Sequence, residues 1–262
     1  MEDQKMPAQT APKNRTACRT AMLALVALLA AGLGAAAQGV PDFAALVAAP
    51  DRSEADRTTD KRRDPTQLLA FTGVRAGMTV LDMGAGGGYS TELMARAVGP
   101  TGKVYGQNAP MFANAVKGLE ARTMTPAGKN IVALARAFDD PLPSDVSGLD
   151  MVTYFFFYHD TGYLDVDRAQ MNRKLFAALK PGGLLIIADH SAKAGTGLTV
   201  ARTLHRVEES VLKSEVAAAG FKLVGEGNFL RHPEDPRDFS VQPVTPTRPA
   251  VDEFVLKFEK PR

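Results

Sequence analysis

The chain has 262 residues, 45% of them hydrophobic and 23% charged, with one cysteine and no tryptophan. That composition excludes a disulfide-stapled miniprotein and a disordered chain, and it suits one domain with a large core. The 31 basic and 29 acidic residues give a formal charge of +2, too even to favour nucleic acid or an anionic membrane as a partner; a single cysteine excludes an internal disulfide and a cysteine-based zinc site.

Residues 21–33 are uncharged and apolar, with Lys5, Lys13, Arg15 and Arg19 before them and Ala35, Ala36 and Ala37 after them. A basic start, a short apolar run and small residues at a cleavage position describe a secretory signal over residues 1–37. The run is shorter than the ~20 residues a membrane span needs, so no stable span is expected after cleavage. Removal of the signal takes four basic residues, two acidic ones and Cys18, leaving a neutral, thiol-free chain. Its expected location is periplasmic or secreted.

Residues 38–65 read as a charged helical segment preceding a domain at 66–262. Arg52, Asp56, Asp60 and Arg63 fall on one helical face. Opposite charges pair there as Arg52–Asp56 and Asp60–Arg63. The segment is either a solvated, ion-paired surface helix or a lid that turns arginines towards a ligand.

From residue 78 strand and helix signals alternate. Strands are predicted at 78–83, 103–107, 130–135, 151–157, 184–188, 221–224 and 254–258, with helices at 91–98, 111–121, 165–179 and 207–219. The proline-rich stretch 232–249 cannot lie inside a sheet and reads as a long loop. The alternation predicts an α/β fold, Rossmann-like and doubly wound, with a mainly parallel sheet and helices on both faces. Such sheets bind ligands at the carboxyl ends of their strands.

The strongest motif runs from Val80 to Thr91: an apolar strand reaches Asp82, then Gly84, Gly86 and Gly88 follow at alternate positions, then a helix begins. Glycines let the backbone turn tightly and let a ligand approach closely. The helix start offers free N–H groups. The dinucleotide fingerprint G-x-G-x-x-G fails in both registers, because Tyr89 or Thr91 stands at the third glycine position. This disfavours a nicotinamide-dependent oxidoreductase. The Gly-Lys-Ser/Thr of a P-loop is absent too.

The acidic-x-Gly-x-Gly-x-Gly pattern resembles the first motif of class I S-adenosylmethionine-dependent methyltransferases, and the likeness covers roughly residues 65–225. It implies their fold with a seven-stranded sheet, S-adenosyl-L-methionine as cofactor, and methyl transfer to a small-molecule substrate. The resemblance places Asp82, Gly84, Gly86 and Gly88 beneath the methionine, sugar and sulfonium. The family's ribose-binding acid falls at Asn108, a departure that leaves Gln107 or Asn108 to hold the ribose. Loss of the carboxylate is expected to weaken binding by ~1–2 kcal/mol. After the third strand the family's adenine-reading acid aligns with Arg136, a second departure, which leaves Phe138 either to stack on adenine or to serve as ordinary core, and Asp139 to accept from the adenine amino group.

Residues 150–160 resemble the family's fourth motif, and Leu179-Lys180-Pro181-Gly182-Gly183 its tight turn into the fifth strand. With the charged segment and the pairs His159-Asp160 and Asp189-His190, the chain looks like a bacterial subgroup of exported predicted methyltransferases. His159 and His190 end the fourth and fifth strands, so both are candidate general bases or substrate contacts. His205 begins the next helical segment and approaches them; His232 lies in the solvated loop. No recognised ligand spacing points to a metal, and none is expected; the alternative, drawn from family members that bind a divalent ion, is a site of His159, Asp160, His190 and Asp189. The alternative is a non-catalytic ligand-binding or interaction protein on the same scaffold, favoured by the missing acid at Asn108 and by an export signal on a chain whose cofactor is made in the cytosol.

Overall fold

The computed structural model describes residues 39–262 except position 246, together with Met1 and Glu2. The signal read at 1–37 therefore lies outside the described residues. Gly39–Arg262 forms one compact unit, so residues 39–65 of the charged segment pack with the residues that follow them. Among the described residues no helix is long and apolar enough to cross a membrane.

Seven strands form one sheet: β1 (Thr79–Met83), β2 (Lys103–Asn108), β3 (Ile131–Ala135), β4 (Leu149–Phe155), β5 (Leu179–His190), β6 (Lys222–Gly227) and β7 (Glu253–Glu259). Their order is β3-β2-β1-β4-β5-β7-β6. The first five pair in parallel, and β7 runs antiparallel between β5 and β6. This is the Rossmann-like, doubly wound architecture that the alternation predicts.

The central strands are apolar on both faces because both are covered. Leu81, Val152, Leu185, Ile187 and Leu256 share one core with Met171 and Leu175 of α6 (Arg168–Ala178) and Leu212 and Val216 of α8 (Glu209–Ala218). Val80, Met151, Ile186, Ala188 and Val255 share the other with Leu68 and Leu69 of α3 (Pro65–Thr72), Leu93 and Met94 of α4 (Tyr89–Val98), and Leu119 of α5 (Ala113–Thr123). A four-residue helix, α7 (Ala201–Leu204), precedes α8.

Several strand boundaries differ from the sequence expectation, and two of the differences have a clear physical cause. β4 stops at Phe155, two residues early, because Phe156 adopts φ +59°. Such a conformation is costly for a bulky side chain and turns successive side chains out of the pleat. β5 starts at Leu179, five residues early. Leu149 pairs with Leu179 but Met151 pairs with Leu184, so Lys180–Gly183 form a bulge within the strand rather than a turn before it.

At the N-terminal end, α1 (Phe43–Val47) leads to α2 (Glu54–Arg63). Ser53 caps α2, so Arg52 lies outside the helix and reaches past its first turn to Asp60, at 2.6 and 2.8 Å. The expected Arg52–Asp56 pair does not form for that reason, and Asp56 turns to Arg122 of α5. Arg52 and Asp56 are each 5% exposed, which corrects the solvated-surface reading of this face. Asp64, at φ 39°, ends α2 and its carboxylate caps α3 through the Gln67 N–H.

Candidate functional site

The loop between β1 and α4 lies at the carboxyl edge where the strand order reverses. Asp82 is fully buried and accepts hydrogen bonds from Ser90 Oγ at 2.8 Å, Thr91 Oγ1 at 2.6 Å and Thr153 Oγ1 at 2.7 Å. Burial holds its pKa above the usual carboxylate range despite these donors. It ties β1, β4 and the first turn of α4 together, and so shapes the loop from beneath.

Two loop glycines are required for different reasons. Gly86 sits at φ +57° with no atom within 4 Å of where a Cβ would stand, so its exposed face is an open cradle. Gly88 sits at φ +85°, and a Cβ there would meet the Arg122 Cδ at 2.6 Å. Arg122 is the loop's outer support. Its guanidinium donates to the Gly87 carbonyl, to both Asp56 oxygens, and to Glu92 Oε2 at 2.6 Å. Tyr89, the residue that breaks the dinucleotide fingerprint, donates its hydroxyl to Asp60 at 2.7 Å. Helix α2 is thus bolted over the glycine loop.

Between them lies a cavity of about 270 Å³, lined by Gly84–Gly87, Tyr89, Ser90, Phe155–Phe157 and, from the other side, Thr59, Arg62 and Arg63. The two arginines bear on the lid reading of this segment. The Arg63 guanidinium carbon stands 3.3 Å from the Phe156 ring centroid, a close cation–π stack, while its Nε has no hydrogen-bond partner. Burial pulls its pKa down to about 9. Burial also lowers Arg62.

The residues assigned to the nucleoside face elsewhere. Gln107 Oε1 accepts from the Gly84 N–H at 3.2 Å, and its amide donates to the Arg136 carbonyl at 2.6 Å. Asn108 both accepts from the Gly86 N–H and donates to the Gly86 carbonyl, each at 2.9 Å. Both amides are buried braces of the loop rather than free ribose contacts. Phe138 is buried in a cluster with Phe112, Tyr154 and Phe157, stacked on Phe157 at 5.1 Å between ring centroids. Asp139 accepts from the Gln170 amide through its backbone carbonyl and lines no part of the glycine-loop cavity.

His159 and His190 come together, 5.5 Å apart between ring centroids, but neither lines that cavity. The Phe156 ring stands between Arg63 and His190, whose centroid it approaches at 5.2 Å. His159 Nδ1 lies 2.6 Å from Asp189 Oδ1, and its backbone N–H donates to Asp189 Oδ2 at 2.8 Å. Burial lowers the His159 pKa, but Asp189 and Asp160 outweigh it and lift it to about 10. His190 is held neutral by burial. Glu253 Oε1 lies 2.9 Å from His190 Nδ1, and burial pushes the Glu253 carboxyl up to about 7. His205 closes α7 at φ 53° where the sequence reading has it begin a helix, and it approaches His159 edge-on at 5.6 Å, while His232 is exposed beside Glu234.

Arg122, Phe156 and Glu253 escaped the sequence reading. Arg122 acts across 66 residues, and no local spacing announces such a partner. Phe156 sits within an apolar run that reads as strand throughout. An acidic residue opening the apolar stretch before residue 254 was the available signal for Glu253.

Residues 75–224 match the family described as a methyltransferase domain. The C-methyltransferase UbiE of ubiquinone/menaquinone biosynthesis from Pseudomonas aeruginosa (strain LESB58) is 29% identical over 133 residues, covering 51% of this chain and 50% of that protein. The chain thus spans about half the length of the curated relatives it matches. A SAM-dependent methyltransferase from Aquifex aeolicus shares the fold at a TM-score of 0.58 and 19% identity, covering 84% of this chain and 99% of that one. The cyclase SpnF shares it at 0.51 and 18%, covering 79% of this chain and 82% of that one. The matched span takes in the glycine loop, β4 and the bulge into β5, and the chain belongs to the methyltransferase-domain family.

Proposed function

We propose that this domain binds S-adenosylmethionine across the glycine loop and transfers its methyl group to a small-molecule acceptor admitted beneath α2. The observation that carries the reading is the open face of Gly86, a cradle that a single methyl group would fill, on the wall of the cavity between the loop and α2. The bound cofactor would supply an activated methyl on its sulfonium. The chain's own contribution is to hold and orient. Backbone from Gly84 to Gly87 lies along the cavity floor, Phe155–Phe157 exclude water from one side, and Arg62 and Arg63 offer positive charge to a carboxylate from the other. With His159 and His190 behind Phe156, their part in this reading is to position β4 and β5. The export signal read at residues 1–37 sets the proposed site of action outside the cytosol.

A second reading, a ligand-binding protein without turnover, is favoured by Asn108, whose amide is spent on Gly86. SpnF shows that a chain of this fold need not carry a methyltransferase name. Calorimetric titration of the full chain with S-adenosylmethionine and with S-adenosylhomocysteine tests the first reading. Micromolar binding of both is expected; no heat at millimolar ligand overturns it. Transfer of a labelled methyl group to small acceptors then separates the two readings.

A further inference from the structure

At the carboxyl end of β4, beyond the Phe156–His190 layer, three polar groups converge on one carboxylate oxygen. Asp160 Oδ1 lies 3.2 Å from His159 Nε2, 3.1 Å from His205 Nδ1 and 2.7 Å from the Tyr163 hydroxyl. One ring nitrogen each of His159 and His205 and an Asp160 carboxylate oxygen all lie within 4.8 Å of one another.

The proton count at this point is telling. The Asp189 carboxylate accepts both the His159 and His190 backbone N–H groups, so the 2.6 Å contact with His159 Nδ1 requires the ring proton on Nδ1. In a neutral ring Nε2 then carries a lone pair 3.2 Å from a carboxylate oxygen. A cation between the two, either a second ring proton or a metal ion, relieves that contact. The rest of the arrangement matches a metal. A carboxylate holding the far nitrogen of an imidazole is the usual outer support of a ligating histidine. Donors around an ion at 2.0–2.1 Å are spaced about 3.0–3.4 Å apart, which agrees with the two distances to Asp160. The side-chain exposures, 4% for His159, 13% for Asp160 and 25% for His205, grade from a sealed back to an open front where water or a ligand completes the coordination.

We propose that His159 Nε2, Asp160 and His205 Nδ1 form a site for a divalent transition metal of the zinc type, with Asp189 and Tyr163 as its outer supports. Two imidazoles and one carboxylate suit zinc or its first-row neighbours and disfavour magnesium and calcium, which take oxygen donors. The site stands independently of the methyl-transfer reading, since none of its residues lines the glycine-loop cavity.

The test uses the full chain, stripped with chelator and with Cys18 alkylated so that its thiol does not compete. Titration with zinc chloride is expected to show one ion per chain at micromolar affinity or tighter, and cobalt(II) to give the visible absorption of a low-coordinate site. Imidazole ¹⁵N spectra should move for His159 and His205 and stay still for His232. Asp160→Asn keeps an acceptor for Tyr163, and His205→Asn tolerates the left-handed backbone; each should weaken zinc about tenfold or more. No saturable binding at millimolar zinc overturns the site, as does zinc that moves His232 instead. Variants that bind like the parent overturn it too. A His159 ring doubly protonated in the presence of saturating zinc would show that the cation is a proton. If either variant misfolds, the parent's ¹⁵N spectra alone decide.

Discussion

Asp56 and Arg122, 66 residues apart in the chain, form a two-pronged ion pair at 2.7 and 2.8 Å over the outer side of the glycine loop. The same guanidinium holds the Gly87 carbonyl, so the pair joins α2, α5 and the loop at one point. Asp56→Asn leaves Arg122 with Glu92 as its remaining carboxylate. Because the pair is mostly buried, its loss is expected to cost about 2–3 kcal/mol in urea unfolding. Cofactor affinity should fall as well. An unchanged unfolding midpoint would show that the pair contributes nothing net.

Gly86 and Gly88 should respond differently to alanine. Gly86→Ala meets no atom, so it pays only for a left-handed alanine, about 1–2 kcal/mol, and the protein should fold. Its methyl group fills the cradle, so titration should show cofactor binding at least tenfold weaker. Gly88→Ala drives a methyl into Arg122 and should destabilise more than Gly86→Ala does. The reverse order of melting temperatures would contradict this account of the loop.

Asn108→Asp restores the family's acid but removes a donor. An aspartate still accepts from the Gly86 N–H, yet it sets a carboxylate oxygen against the Gly86 carbonyl. We expect a loss of about 1–3 kcal/mol in denaturant unfolding and weaker cofactor binding, because the loop is released. Tighter binding with unchanged stability would mean that residue 108 serves the ribose and not the loop.

Glu253 gives a pH signature. Burial raises its carboxyl from an ordinary 4.5 to about 7. Between those values the folded chain keeps a proton that the unfolded chain has lost, so this group's contribution to stability falls as pH rises through the window, by ~3 kcal/mol in all. His190, held neutral, acts with the opposite sign below its ordinary pKa, but it is common to parent and variant. Glu253→Gln should therefore gain on the parent from pH 5 to pH 8 in urea unfolding. A constant difference between the two pH values would refute the assignment.

Much of this was legible in the sequence because it is local. The run from Val80 to Thr91 announces strand, turn and helix through residue types alone, and strand–helix alternation gives the sheet. What escaped depends on contacts between distant segments. Arg52 reads as the partner of Asp56 four residues on, but the Ser53 cap excludes it from the helix and sends it to Asp60. Asn108 aligns with a ribose ligand, yet its amide geometry suits the backbone of Gly86. Phe156 breaks β4 through a backbone twist that no apolar pattern encodes, and that twist separates both histidines from the cavity beside the glycines.

The placement of β7 gives the sheet an order of assembly. Residues 253–259 sit between β5 and β6, so β5 lacks its outer neighbour and β6 its neighbour in the sheet until residue 259 has been made. Until then the apolar Leu184–Ala188 ladder faces outward as an unpaired edge, the kind of surface that recruits other chains. Synthesis from the N-terminus thus leaves a nearly complete but sticky half-sheet waiting on a short late segment. Ribosome stalling or proteolytic trimming before residue 253 would yield aggregates rather than a smaller working domain.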